Sequence, residues 1–305
     1  MDKIQIDILD QIAGIKDIPT KGAYNIRVNG KSAGFSSTEN VTITFKENGT
    51  GINIHVKPGA KEQVHIPVVV SDEGRREVVY NDFYIGENAD ITIVAGCGIH
   101  NSCEEPSQHD GIHTFYLSKN SKVKYVEKHY GEGSGTGGRI LNPITDIYMD
   151  PGSYMEIETV QIKGVDSTKR LTKADLKDNT VLVINEKLMT HENQYAETEF
   201  DVNLNGEGSG THVTSRSVAK GNSKQLFLSK IKGNNICTGH SECDAIIMDS
   251  AVVSAIPEIS ANNVGASLIH EAAIGKIAGE QIVKLMTLGL SEQEAVEQIV
   301  TGFLK

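Results

Sequence analysis

Residues 154–162, YMEIETVQI, set apolar side chains at every second place for most of their length. A β-strand turns successive side chains to opposite faces, so this stretch predicts a strand with one buried face. The same period recurs outward in both directions. Upstream lie VTITFK (41–46), INIHVK (52–57), VHIPVVV (64–70), ITIVAG (91–96) and VKYVEK (123–128). Downstream lie TVLVIN (180–185), FDVNLN (200–205), HVTSRSV (212–218), QLFLSKI (225–231) and AIIMD (245–249). Turn-forming stretches such as NGK, PGA and GNS separate such runs, and no long helical pattern interrupts them from residue 40 to 255. Thirty glycines, few aromatics and no tryptophan agree with many short strands and tight turns.

The hexapeptide GEGSGT occurs at 131–136 and again at 206–211. Neither copy is followed by the Lys-Ser/Thr pair of a phosphate-binding loop. Both are read as turns at similar places in a repetitive β architecture, which fits a solenoid whose coils place glycines at their corners. The residues by themselves give a mainly β chain of many short strands with a helical C-terminal segment, which a β-solenoid fits. The divisions are 1–23 for a short N-terminal segment (helix or loop), 24–260 for the β core and 261–305 for the helical segment.

The net charge of −11, from 29 basic and 40 acidic residues, argues against nucleic-acid binding, which needs a clustered basic surface. MDKIQIDILD carries no apolar signal-peptide region, and no run reaches the ~18 apolar residues of a membrane span. A cytoplasmic protein without membrane partners is expected. Four cysteines are too sparse for a secreted disulfide scaffold.

Toward the C-terminus, residues 264–288 are read as a helix stopped by Gly289, followed by a second helix with a Ser291–Glu294 capping box. On the first helix Ile274, Ile277, Ala278, Ile282 and Leu285 form an apolar stripe. His270, Glu271 and Gln281 fall on the same stripe. A carboxylate facing a core is costly unless it is paired or bound to metal. With Cys243 shortly upstream, a thiol, an imidazole and a carboxylate make a candidate metal site.

A second polar cluster is GCGIHNSCEEPSQHDGIH (96–113). It holds His100, His109 and His113 among Cys97, Cys103, Glu104, Glu105 and Asp110. This stretch is read as a polar loop between two strands, either metal-binding or simply solvated. His109 and Asp110 lack an activated serine for hydrolysis. The cysteines pair at equal spacing, Cys97 with Cys103 and Cys237 with Cys243, which is not the CxxC of a zinc knuckle.

SECDAIIMD (241–249), PEI (257–259) and IHEAAIGKIAGEQIVKLMTLGLSEQEAVEQIVTGF (269–303) together resemble the C-terminal core of the SufB/SufD family, scaffolds for iron–sulfur cluster assembly. The resemblance implies a right-handed parallel β-helix flanked by helices. It implies a cluster ligand at Cys243, a second at Glu271, and an interface histidine at His270. Cys237, His240, Cys97 and Cys103 are weaker candidates. The terminal helices match the region that docks SufC, an ABC-type ATPase. The implied cargo is a transiently assembled cluster, with sulfur from a cysteine desulfurase system and apo iron–sulfur proteins as recipients.

The chain is shorter than typical SufB or SufD and carries both Cys243 and His270, which resembles a compact version that pairs with itself as a homodimer. Longer SufB proteins carry a sulfur-accepting cysteine upstream, and the segment aligned with it here, RLTKADLKDN (170–179), has none. No NTPase motif is present, so ATP hydrolysis would belong to the partner, and the chain itself would be a non-catalytic scaffold. The alternatives are a SufD-like adaptor without its own cluster, or a metal-dependent enzyme using the 97–113 cluster.

Overall fold

A computed structural model describes residues 1–19, 21–47 and 49–305. Helix α1 (Lys3–Ala13) precedes the strands β1 (Ala23–Val28), β2 (Lys31–Ser36), β3 (Val41–Phe45), β4 (Gly51–Val56), β5 (Lys61–Val70), β6 (Arg76–Ile85) and β7 (Asp90–His100). There follow β8 (Ser107–Leu117), β9 (Lys122–Glu132), β10 (Arg139–Leu141), β11 (Ile144–Met149), β12 (Tyr154–Lys163), β13 (Ser167–Leu176) and β14 (Val181–Thr190). The chain continues through β15 (Tyr195–Leu204), β16 (Ser209–Ala219), β17 (Lys224–Gly233), β18 (Cys237–Ile247), β19 (Val252–Ala261) and β20 (Ala266–Gly275), and ends in helices α2 (Gly279–Met286) and α3 (Glu292–Phe303).

Consecutive long strands alternate between two sheets, so each strand pairs in parallel with the one two places on. Tyr154 lies beside Val181, and Cys237 beside Ala266, one coil further along. The result is a β-solenoid of about 8 turns: the period-two runs predict its strands, and the resemblance to the SufB/SufD family its coiling. Inward residues alternate with outward ones on nearly every strand, and the inward apolar residues of both sheets form one continuous core, including the stacked pair Phe83 and Phe115, 4.2 Å apart. Corners carry residues in the left-handed region, among them Gly133 and Gly208 within the two GEGSGT copies.

The two ends differ. At the N-terminal end β2 and β3 run antiparallel to β1 and β4 and cap the stack. At the C-terminal end β19 and β20 are the outermost strands of the two sheets. Their outer edges carry unpaired backbone groups, which favour association. Helix α1 lays Ile8, Leu9 and Ile12 against the outer face of the first sheet. Gly96 and Gly98 admit this contact: a Cβ on Gly98 would lie 2.1 Å from Ile8 Cγ2. Helix α3 packs Val300 and Leu304 on Val218, whereas α2 buries no residue.

Two expectations are corrected here. The segment 264–288 is not one helix: β20 runs to Gly275, and only Gly279–Met286 is helical. Leu268, Ile269, Ala272, Ala273 and Ile274 satisfy a strand period as well as a helical one, and ten register contacts with β18 decide between them. The β core therefore extends past residue 260. The stretch 96–113 is likewise mostly strand, with His100 closing β7 and His109 and His113 inside β8. Buried polar residues gave it the composition of a loop.

Candidate functional site: a polar row inside the solenoid

The period-two strands bury apolar residues at their first inward places and polar ones further on. In β12 the inward residues are Met155, Ile157, Thr159 and Gln161. Parallel pairing stacks equivalent places from coil to coil, so the polar places line up along the axis. Glu127 lies beside Thr159, Thr159 beside Glu186, Glu186 beside Ser215, and Ser215 beside Cys243. In the adjoining row Cys97 lies beside His129, and His129 beside Gln161. Five strand spacings separate β7 from β18, about 24 Å at ~4.8 Å each. Cys97 thus stands at the start of one row and Cys243 at the far end of the other.

Buried polar groups require partners, and most of these have them, although Thr159 Oγ1 and His129 Nε2 accept or donate no hydrogen bond. Arg170, from the facing sheet, donates to Glu127, and its Nε stands 3.9 Å from Glu186. Thr198 and Ser215 donate to Glu186 at 2.9 and 2.7 Å. Burial alone would raise the Glu127 carboxyl, but the Arg170 guanidinium holds it well below the usual carboxylate range. His113 donates or accepts at Tyr125 Oη, 2.8 Å away, and burial pulls it down to about 4, so it stays neutral.

The two interior cysteines sit in opposite environments. Burial would raise the Cys97 thiol, but the His109 and His129 imidazoles outweigh it and bring it down to about 7. His109 is raised to about 10: burial opposes its charge, and Cys97 and Glu77 more than compensate. The buried imidazoles thus ease ionisation of the Cys97 thiol, and Glu77 and Cys97 ease protonation of His109. Cys243 is 1% exposed, and burial, with Glu186 nearby, pushes it up to about 12. In this state it is a neutral thiol, unsuited to bind iron until deprotonated.

The residues singled out by sequence do not all converge. In β20 the Cα atoms of Ala272 and His270 lie beside Cys243 and Ser241 of β18. Cys243 and His270 therefore share the inward face, one diagonal step apart. Burial and the neighbouring His240 lower His270 below the ordinary imidazole value. Glu271 points to the other face, where its Oε2 is 3.6 Å from His240 Nε2. His240 in turn meets the His212 ring edge-on at 4.8 Å. Cys237 lies inward at the start of β18, packed in the apolar core. Cys103 is half-buried in the 101–106 loop, its thiol 3.2 Å from Asn101 Oδ1. Among the described residues no three His, Cys, Asp or Glu side chains are placed to hold one metal ion.

Sequence reasoning missed Glu77, Glu127, Arg170 and Glu186. The available signal was a charged residue at an inward place of a period-two run, as in VKYVEK, where Glu127 follows Val123 and Tyr125 on one face.

Comparison with known proteins agrees with the fold and the C-terminal motif. The SUF system FeS cluster assembly, SufBD core domain matches residues 68–303. An iron–sulfur cluster assembly SufBD family protein of Archaeoglobus fulgidus is 30% identical over 264 residues, 85% of this chain and 69% of that protein. One from Methanothermobacter thermautotrophicus (strain Delta H) is 28% identical over 83% of this chain and 62% of its own length. One from Methanocaldococcus jannaschii is 28% identical over 87% of this chain and 85% of its own length. The domain match spans the coils from β5 onward and the terminal helices, including both ends of the polar row, and on that ground the chain belongs to the SufBD family of iron–sulfur cluster assembly proteins.

Proposed function

We propose that this chain is a SufB-like scaffold, on which a nascent iron–sulfur cluster is built with a SufC-like ATPase and then passed to apo-proteins. The observation that carries the reading is the pair of adjacent polar rows inside the coils, one starting at Cys97 and the other ending at Cys243 near the C-terminal end of the solenoid. Residues 170–179 carry no cysteine, so sulfur from a desulfurase system is taken up at Cys97, which is buried and likewise requires the coils to open. Cys243 and His270 face it from the far end.

Cys243 is protonated and enclosed in this state, so cluster assembly requires the end of the solenoid to open. Helices α2 and α3 follow β20 directly, and Val283, Met286 and Leu288 are exposed on and just after α2, a surface suited to an ATPase partner. The free edges of β19 and β20, with Ile256 and Ile269 exposed beside them, suit a second copy of the chain related by two-fold symmetry. Such a copy would bring a second set of His240, Cys243, His270 and Glu271 to the same seam.

The test is anaerobic reconstitution with iron and sulfide, ATPase partner present, for the wild type beside Cys243→Ala. The scaffold reading expects visible charge-transfer bands that the variant loses. No bands in the wild type, or bands that persist fully in the variant, would overturn it. The placement of Glu271 and His270 on opposite faces favours a second reading, a SufD-like adaptor. That reading expects the ATPase to bind and cluster maturation in a reconstituted complex to be indifferent to Cys243→Ala.

A further inference from the structure

We propose that Ser102, His100 and Glu132 form a nucleophile, a base and an orienting acid, and that Ser102 takes up the acyl group of small activated esters. The site lies on the outward face at a corner of the solenoid, apart from both interior polar rows, and its chemistry uses neither Cys97 nor Cys243.

His100 closes β7 and Glu132 closes β9, and the two are direct register partners. Glu132 Oε1 lies 3.3 Å from His100 Nδ1, and Ser102 Oγ lies 2.7 Å from His100 Nε2. A carboxylate only accepts, so Nδ1 carries the ring proton, Nε2 is the acceptor, and the Ser102 hydroxyl donates to it. Glu132 is itself held in place. Tyr130 Oη donates to its Oε2 at 2.9 Å, the Tyr130 ring packs against the apolar cluster under α1, and Lys163 Nζ stands 5.7 Å from the ring centre. Carboxylate, imidazole and hydroxyl thus follow one another in the order of a hydrolytic triad, which is recognised by geometry and roles and not by position in the sequence. The His100 and Glu132 side chains are 19% and 32% exposed and Ser102 is exposed, so a small ester reaches the hydroxyl.

The loop that carries Ser102 is fixed from beneath. Asn101 is fully buried; its Nδ2 donates to the main-chain oxygens of Glu105 and Gly137 at 2.8 and 3.1 Å, and its Oδ1 accepts from Cys103 N at 3.0 Å. The first GEGSGT copy supplies both Glu132 and the room for this loop. A Cβ on Gly133 or Gly135 would fall on the main chain of Asn101 or Cys103, and Gly135 N donates to Asn101 O at 3.1 Å. In the second copy Glu207 is exposed and its main chain meets Asp178 instead. The step balances with water as the only co-reactant. Ser102 Oγ bonds to the ester carbonyl carbon and gives its proton to His100 Nε2. The bond from that carbon to the leaving oxygen breaks, its electron pair stays on the oxygen, and the leaving group takes the Nε2 proton and departs as the alcohol. Water then attacks the acyl carbon, and His100 passes its proton to Ser102 Oγ as the carboxylic acid leaves.

The probe is p-nitrophenyl acetate, with nitrophenol release followed by absorbance and the acetyl group located by peptide mass mapping after an acid quench during turnover. The wild type is expected to carry the acetyl group on Ser102, and Ser102→Ala to release nitrophenol only at the background rate of its exposed lysines. His100→Gln should slow acylation of Ser102 about 100-fold. Glu132→Gln should slow it by a smaller factor, about tenfold, with Glu132→Asp between it and the wild type, a rescue that a merely structural carboxylate would not give. No acetyl group on Ser102 in the wild type overturns the proposal, a measurement that needs no variant. So does an acylation rate unchanged in His100→Gln. Neither readout uses iron, sulfide or an ATPase. An acylated Ser102 beside failed reconstitution would sink the scaffold reading alone, and the converse would sink the triad alone.

Discussion

Replacing Arg170 by methionine removes the guanidinium that stands between two buried carboxylates, Glu127 and Glu186. Arg170 is 6% exposed, donates to Glu127, and approaches Glu186 and His129 at 3.9 and 3.3 Å. Methionine fills similar volume, so the cost is electrostatic and not a cavity. Stripping one partner from a buried ion pair costs about 3–5 kcal/mol, because the charge left behind has neither water nor a counter-ion. At ~2 °C per kcal/mol for a chain of this size, the melting temperature should fall by about 6–10 °C at pH 7. The pH dependence identifies the cause. In the wild type Glu127 is held below its unfolded value, so its contribution is present above pH ~4.5 and is lost as pH falls through the folded value. In the variant the same carboxyl is raised by burial, so the folded state takes up a proton first and is favoured as pH falls from 7 toward 5. The gap between the two proteins should therefore narrow on acidification. Scanning calorimetry at pH 7 and pH 5 reads this directly. A loss under about 1 kcal/mol, or a gap that does not change with pH, would refute the reasoning. Glu127→Gln placed on the variant should recover part of the loss at pH 7.

Other expectations follow from single contacts. Cys243, pushed up to about 12, should resist alkylation at pH 8 in the folded protein and react on unfolding, which peptide mass mapping will show; labelling at the rate of an exposed thiol would contradict its burial. Gly98→Val puts a side chain where Ile8 sits, so α1 should detach at a cost of about 1–3 kcal/mol, seen as faster hydrogen exchange in residues 3–13 while the coils stay protected. Ser291→Ala removes the capping box of α3 and should cost about 1 kcal/mol, read as faster exchange confined to residues 292–303. Ile256→Lys with Ile269→Lys charges the open end and should abolish self-association in sedimentation, if β19 and β20 are the seam; an unchanged dimer would place the seam elsewhere.

The sequence by itself determined the class of fold and the family. Period-two runs such as YMEIETVQI and VKYVEK are local signals, because alternation along one strand needs no knowledge of its neighbours. The capping box at Ser291 is local too, and so is the motif from Cys243 to Phe303 that carries the family resemblance. What stacks on what is not local. Strands that pair here are about 30 residues apart, so the alignment of Glu127, Thr159, Glu186, Ser215 and Cys243 arises only when the coils close in register. The same pairing decided that residues 266–275 are strand although their apolar pattern also suits a helix, and in a strand adjacent residues part to opposite faces. That is why His270 turns inward with Cys243 while Glu271 turns outward to His240, and why the seven candidate ligands do not form one site within the chain. Cys97 looked like an ordinary thiol because the imidazoles that lower it, His109 and His129, come from other strands, His109 from the other sheet.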